Sequence, residues 1–322
     1  MIYNISYIFQ LCSFPFIFII FKSMTLCLPI ITGFQKSCTM ENTITFGILF
    51  CTTSYLSTKL LNVSWMIKPS VSRLQRAILR GIAVATFFQF VFGSTILFVS
   101  SFKGGIAEQE LLCQIDGFTT STTTFAIINQ VALMCYAFEV NICRFLERNM
   151  EKLLALCWGV PVLLSSLPFV GIGKYTSHGN NSFCCLNWES NKTSDQIYFH
   201  TMFIVAFIIP FLLILYSRVA KPSTTDNKSD YEGVRDKIMF PAALIFLTLW
   251  VPFGCVTMHN LSGFNVSGDV ELLAVLCGLT SFAVLPLILC RELSNCINPS
   301  LPQYDGFDLK VFRVCLHFLL FL

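Results

Sequence analysis

The chain has 322 residues, of which 55% are hydrophobic and only 12% are charged, and its net charge is +3. Soluble domains carry about 25% charged residues, so this composition excludes an ordinary soluble globular protein and predicts an integral membrane protein. The small net charge gives no indication of nucleic-acid binding, and no nucleic acid is expected as a partner.

The first 40 residues form an apolar N-terminal segment that we separate from the rest of the chain. Its stretch FPFIFIIF (14–21) is apolar enough for the core of a signal peptide, but no basic region precedes it and Lys22 interrupts it. A signal sequence, an additional apolar segment and a misassigned gene start all remain open, and we favour the last two. Residues 1–40 are therefore left out of the predicted fold.

Residues 41–305 contain seven stretches that are long and apolar enough to cross a membrane, since about 20 apolar residues suffice. These stretches are 44–67, 77–101, 114–143, 152–171, 197–219, 238–259 and 271–297. The predicted fold is all-α, a bundle of seven transmembrane helices joined by short polar loops. Residues 306–322 follow as a short tail.

Lysine and arginine are distributed unevenly over the loops between these helices. Fourteen of them lie near the loops after helices 1, 3 and 5 or in the tail, whereas the opposite loops hold only Lys103, Lys174 and Lys192. Because basic residues of short loops remain in the cytoplasm, the tail is predicted to be cytoplasmic and the N-terminus extracellular. The expected location is a cell membrane that the chain crosses several times, surrounded by membrane lipid.

Several short motifs occur at regular places along the predicted helices and loops. They are CQIDGF (113–118), ICR (142–144), PFVGIGKY (168–175), CCLNW (184–188), FIIP (207–210), LWVPF (249–253) and NP (298–299). Together they resemble the motifs of opsins, which are rhodopsin-like G-protein-coupled receptors, over residues of about 110–305. The loop motif together with CQIDGF points to opsins within this class. The resemblance implies the seven-helix receptor fold, a small ligand inside the bundle and a heterotrimeric G protein as partner.

The resemblance also implies a disulfide bond and a ligand contact. In opsins a disulfide ties the start of helix 3 to the second outer loop, which here implies the pair Cys113 and Cys184, with Cys185 as an alternative partner. Trp250 lies beside a proline that kinks helix 6 and creates a pivot. We therefore expect Trp250 and Phe253 to contact a ligand above the kink, although a lipid-facing tryptophan is the alternative.

The stretch ILCRELSNCINP (288–299) lacks the residue that defines ligand attachment in opsins. There, a lysine six residues before the Asn-Pro pair holds retinal covalently. Counting back six residues from Asn298 gives Glu292. Counting forward from Pro286 instead gives Arg291, because this chain has one extra residue between the two anchors. We prefer the count from Asn298, and neither count gives a lysine.

No lysine occurs anywhere between Lys237 and Lys310. A Schiff base requires a lysine amine, which a carboxylate cannot replace. If retinal is the cofactor, it is therefore expected to bind without a Schiff base at the usual site. No other cofactor is expected.

Asp116 lies three residues after Cys113, where the resemblance implies the counterion of the Schiff base. An acid inside a membrane is costly and is a candidate functional residue, while an acid at the water interface is the alternative. Opposite Glu292, Asp116 would share a proton with it, because two carboxylates in a dry pocket do not both ionise easily. Arg291 turned inward to pair with Asp116, or a purely structural Glu292, remain open.

The residues that implement the signalling switch in opsins are also altered. At the cytoplasmic end of helix 3, Phe138 stands where opsins carry an arginine, and Glu139 follows it. The Asn-Pro-x-x-Tyr motif is represented by Asn298 and Pro299, with Tyr304 two positions late. These changes argue against the ordinary mode of G-protein activation.

The resemblance therefore implies an opsin-like receptor with a pocket that binds a retinoid or another small apolar ligand noncovalently. Two alternatives remain. One is a light-independent chemoreceptor for a small ligand whose cationic group is attracted to Asp116 and Glu292. The other is a non-signalling retinoid-binding membrane protein. No enzymatic activity and no metal site are expected, because the sequence has no metal-spaced His/Cys cluster, no phosphate-binding loop and no nucleophile with its base.

Overall fold

The computed structural model describes residues 38–67, 73–101, 110–137, 146, 148–188, 190, 192–219, 240–263 and 266–297. Of these, 38–43, 218–219 and 292–297 are described by their backbone alone. The tail 306–322 and nearly all of the N-terminal segment 1–40 lie outside the described residues, so the predictions for them remain predictions.

Seven long helices and one β-hairpin make up most of the described residues. The helices are α1 (Cys38–Trp65), α2 (Arg73–Ser101), α3 (Glu110–Ala137), α4 (Met150–Ser166), α5 (193–219), α6 (Phe240–Leu261) and α7 (Gly268–Ile297). Each overlaps one predicted span, which confirms the all-α seven-helix bundle. All but α6 begin before the predicted span, because hydropathy marks the apolar part of a helix and misses its polar first turns.

Six described helices, all except α3, are long and apolar enough to cross a membrane. The 28 residues of α3 include Asp116 and the polar run TTSTTT (119–124). This helix lies at the centre of the bundle, where α2, α4, α5 and the hairpin pack against it, and Thr122, Thr123 and Gln130 are buried there. Polar side chains are tolerated in a membrane helix that faces protein rather than lipid. The chain is therefore a membrane protein whose least apolar helix lies inside.

Two of the helices contain a π-helical turn, Gln89–Ser94 in α2 and Ile204–Ile208 in α5. The side chain of Gln89 is buried and joins α2 to α3. Its Oε1 accepts a hydrogen bond from the Thr123 hydroxyl at 2.8 Å, and its Nε2 donates to the Thr120 hydroxyl at 3.1 Å. Part of the threonine run therefore attaches the central helix to its neighbour.

The hairpin follows α4 and packs against α3. Its strands, β1 (Tyr175–His178) and β2 (Phe183–Leu186), pair antiparallel. The turn between them has three successive residues with positive φ: Gly179 at 55°, Asn180 at 55° and Asn181 at 67°. Glycine and asparagine adopt this left-handed backbone at the lowest cost, so the sequence GNN specifies the tight turn.

Tyr175 attaches the hairpin to the helices beneath it. Its ring lies so close to Gly117 of α3 that a Cβ atom there would come within 2.4 Å of the ring. Its hydroxyl donates to the carbonyl of Ser165 in α4 at 2.8 Å. The hairpin is thus packed into the bundle rather than placed on its surface.

A disulfide joins Cys113 of α3 to Cys184 of β2, with a Cα–Cα distance of 5.3 Å. The predicted pairing is confirmed, and Cys185 is not part of the disulfide. The two cysteines are 71 residues apart in the sequence, so the bond closes a long loop. The covalent bond fixes the hairpin to the central helix independently of the noncovalent contacts around it.

Replacing Cys184 by serine is expected to lower the free energy of unfolding by about 2–5 kcal/mol, because the long loop is no longer closed in the unfolded chain. The measurement is the midpoint of thermal aggregation of the detergent-solubilised protein. Cys185→Ser, on the same strand, is the matched control and should leave the midpoint nearly unchanged. Equal midpoints for the two variants would contradict the role assigned to the disulfide.

Candidate ligand-binding site

A cavity lies between α3, α5, α6 and α7, and residues 183–186 of β2 form one of its walls. The cavity and its outlet to solvent together enclose about 820 Å³ of empty space. Eight of its 21 lining residues are aromatic: Phe125, Phe183, Trp188, Phe199, Phe203, Phe207, Trp250 and Phe253.

Trp250 of α6 is buried and forms part of this lining. Its Nε1 donates to the Ser281 hydroxyl of α7 at 3.0 Å, and a Cβ at Gly278 would come within 2.8 Å of the indole ring. Phe253 packs edge-on against it with ring centroids 5.6 Å apart. The alternative of a lipid-facing tryptophan is excluded. The structure places Trp250 and Phe253 together in the pocket, while their contact with a ligand remains a prediction.

The part of α7 that lines the pocket contains Val275 and Leu279. Glu292 comes 13 residues after Leu279 on the same continuous helix, which is about 20 Å farther along its axis at 1.5 Å per residue. The structure therefore separates Glu292 from Trp250, contrary to the expectation that they border one pocket. The count from Asn298 placed the site too far along the helix, because α7 continues through Pro286 as far as Ile297.

Pro286 is the proline inside α7, and it provides a second anchor for the six-residue spacing. If Leu285 and Pro286 are read as the Asn-Pro pair, the residue six positions before Leu285 is Leu279. Leu279 is buried and lines the pocket. With this anchor, the position of the family's lysine carries an apolar side chain, and the pocket still has no amine from α7.

Asp116 is the charged residue of the pocket lining and is only 1% exposed. Its Oδ2 accepts a hydrogen bond from the backbone N–H of Cys184 at 3.3 Å, and the Thr120 hydroxyl stands beside the carboxylate. Its Oδ1 is buried and has no hydrogen-bond partner among the described residues. The alternative of an acid exposed at the water interface is thereby excluded.

Neither residue expected to meet Asp116 lies near the pocket. Arg291 is exposed and follows Leu279 by 12 residues, about 18 Å along α7. Glu292 lies one residue beyond it. Neither the predicted Arg291–Asp116 pair nor the proton shared with Glu292 is consistent with this arrangement.

The predicted signalling residues Phe138, Glu139, Asn298, Pro299 and Tyr304 lie outside the described residues, and their role stays a prediction.

When the Asn-Pro-x-x-Tyr motif is read from Pro286 instead, its asparagine and tyrosine positions fall on Leu285 and Leu289. Both leucines are buried. This reading of the motif therefore has neither of the two polar side chains that opsins carry there.

Sequence reasoning missed a set of contacts that holds the turn of the hairpin, which we call the hairpin clasp. Glu271, in the first turn of α7, is buried and accepts hydrogen bonds from the N–H of Gly179 at 3.0 Å and from Nδ2 of Asn260 in α6 at 2.8 Å. Asn180 donates to Asp269 of α7 at 2.8 Å. The clasp therefore joins the hairpin turn to α6 and α7.

His178, at the end of β1, lies between the clasp and the pocket lining. Its ring stacks on Trp188 with centroids 3.9 Å apart, and its Nε2 is 2.9 Å from the Thr176 hydroxyl. Burial lowers the pKa of His178 to about 4, because the charged imidazolium loses its hydration there.

Acidification is expected to loosen the hairpin through His178. Because its pKa is lower in the folded chain than in the unfolded chain, neutral His178 stabilises the fold at neutral pH. This stabilisation is lost as the pH falls from 6.5 towards 4, and about 2 kcal/mol of it is lost by pH 5. The measurement is the amide hydrogen exchange of residues 175–186 at pH 7 and pH 5, corrected for intrinsic rates. His178→Phe keeps the stack on Trp188 and should remove most of this pH dependence; an unchanged dependence would refute the assignment.

Comparison with known proteins shows that the chain is similar to opsins, and no protein-family model matches it. It is 24% identical over 223 residues to pinopsin of Columba livia, covering 64% of each chain. It is 26% identical over 194 residues to pinopsin of Gallus gallus, covering 55% of each chain. It is 25% identical over 205 residues to rhodopsin of Petromyzon marinus, covering 56% of this chain and 57% of that one.

These matches span only about six tenths of the length of the curated relatives. A solved structure, squid rhodopsin, superposes with a TM-score of 0.69 at 18% identity, covering 84% of this chain and 89% of that chain. At this identity the likeness shows the shared fold. The sequence matches show that the chain is similar to opsins, and the shared fold supports its resemblance to rhodopsin-like G-protein-coupled receptors.

Proposed function

We propose that the chain is an opsin-related receptor that holds a retinoid, or another elongated apolar ligand, noncovalently in the pocket beneath the hairpin. The observation that carries this proposal is the cavity with its aromatic side chains, which Leu279 of α7 also lines. When the six-residue spacing is counted from Leu285 and Pro286, Leu279 stands at the position of the opsin lysine. Burial of apolar ligand surface then supplies the affinity that a covalent bond supplies in opsins.

The aromatic lining suits an elongated, unsaturated ligand. Trp188 and Trp250 both pack edge-on against Phe253, with centroid distances of 5.9 Å and 5.6 Å. Rings in this arrangement present flat, rigid surfaces that lose little conformational entropy when a ligand packs on them.

The response to the ligand would be transmitted by α6. Trp250 touches the cavity two residues before Pro252, which interrupts the hydrogen bonding of the helix. A ligand that binds more tightly to one position of α6 than to another, through its contact with Trp250, shifts the equilibrium towards that position. The size of the shift is limited by the difference between the two affinities. A heterotrimeric G protein is the partner that the relatives suggest. The changes at Phe138 and Glu139 imply coupling that differs from that of opsins.

The proposed location is the cell membrane, with the N-terminus extracellular. Under this orientation the hairpin and the hairpin clasp face the outside, where a disulfide forms readily. The loops rich in lysine and arginine face the cytoplasm, as basic loops of membrane proteins do.

The test of the proposed function is reconstitution of the purified full chain with 11-cis-retinal. Retinal is expected to quench the fluorescence of the pocket tryptophans. The bound retinal should keep the absorption spectrum of free retinal. The ligand should be lost on washing and on acid denaturation. An acid-stable protonated Schiff base in the unmodified chain would refute noncovalent binding, and absence of quenching would refute the pocket.

The variant Leu279→Lys provides a second test, because it places an amine in the pocket with Asp116. We expect it to condense with retinal, releasing water, and to form a visible-absorbing protonated Schiff base that survives acid denaturation. Glu292→Lys is the matched control and should give no such pigment, because its position is about 20 Å farther along α7. A pigment from Glu292→Lys alone would overturn the reading from Pro286.

A further inference from the structure

We propose that the ligand of this pocket carries its own cation, a protonated amine that pairs with Asp116, while its apolar body lies on the aromatic lining. The inference rests on the proposed function, since it takes the cavity to be an apolar-ligand site, and it adds the chemistry of the ligand's polar end.

Among the described residues, the lining of the cavity contains one acidic side chain and no basic one. Asp116 is a lining residue, and none of the described residues around the cavity is a lysine, arginine or histidine. The other polar groups of the lining are neutral: the hydroxyls and thiol of Thr120, Ser121, Thr124, Thr257 and Cys185, and the indole N–H groups of Trp188 and Trp250. The pocket therefore has a single charged point to which the polar end of a ligand can bind.

The carboxylate of Asp116 has one oxygen available for a ligand. Oδ2 is used by the backbone N–H of Cys184, whereas Oδ1 is buried without a hydrogen-bond partner in the described part of the chain. Six other buried side-chain atoms in the described residues also lack a partner, but all belong to neutral groups. Among these buried atoms without a partner, Oδ1 of Asp116 is the one that belongs to an acid, so it is the one that a cationic group can pair with.

The position of this carboxylate is fixed before any ligand binds. Cys113, three residues earlier on α3, is bonded to Cys184, and Cys184 is the residue whose N–H holds Oδ2. A preorganised acceptor loses little entropy when its partner arrives, which favours a directional pair at Oδ1.

The source of the cation follows from the residue at position 279. A protein amine would be the partner of such a carboxylate in an opsin, but Leu279 provides none. A free aldehyde has neither a charge nor a donor, so it would leave Oδ1 unpaired. A protonated amine supplies both, and a charge-assisted hydrogen bond is worth about 1.5–3 kcal/mol more than leaving the pair unmade.

The experiment compares two probes with the same apolar body, retinylamine and retinol, by quenching of tryptophan fluorescence in the purified full chain at pH 7. Retinylamine is expected to bind about tenfold or more tightly than retinol, which corresponds to about 1.4 kcal/mol. Asp116→Asn, which keeps the shape of the side chain and removes its negative charge, should abolish this preference.

Leu279→Lys is the second variant, and it is expected to weaken retinylamine relative to retinol because the new amine occupies Asp116. Equal affinities of the two probes in the unmodified chain, or a preference for retinylamine that persists in Asp116→Asn, would overturn the inference while leaving the apolar pocket intact. Failure of both probes to bind the unmodified chain would instead refute the proposed function. Thermal midpoints of both variants, measured alongside, identify a variant that has not folded.

Discussion

The constraint on which this structure depends is the burial of the Asp116 carboxylate in the central helix of a membrane bundle. A buried charge needs a fixed environment, and the disulfide between Cys113 and Cys184 provides it by holding the strand that donates to Oδ2. The same strand forms a wall of the cavity. The hairpin, the disulfide and the pocket are therefore one arrangement around a single charged group.

The two ends of the pocket differ in polarity. At one end, α6 and α7 meet through Trp250, Ser281 and Gly278, a tightly packed contact between neutral groups. At the other, Asp116 offers a charged oxygen beside hydroxyl groups of α3. An elongated molecule with one polar end fits this polarity in only one orientation, so affinity and orientation come from different parts of the site.

Much of this arrangement was predictable from the sequence, because its causes are local. Apolar stretches of helical length predict the seven helices. The resemblance to opsins implies the pair Cys113–Cys184, which the structure contains, and a role for Asp116, which stays a prediction. The sequence did not indicate which turn of α7 lines the cavity. The Asn-Pro pair at 298–299 is a stronger sequence signal than the isolated Pro286, and an unbroken apolar run does not reveal which of its turns faces a cavity. The contacts of Gln89 and Glu271 join residues that are distant along the chain, so no pattern in the sequence announces them.

The hairpin clasp has a consequence for the kinetics of the pocket. The hairpin is held at β2 by a covalent bond and at its turn by Glu271, so it has no free end on which to swing open. Outward movement of the turn must separate Gly179 from the Glu271 carboxylate and Asn180 from Asp269. If a bound molecule leaves under the hairpin, the frequency with which the hairpin clasp breaks sets its residence time. Two ligands of different affinity that share this exit would then have the same upper limit on their dissociation rates.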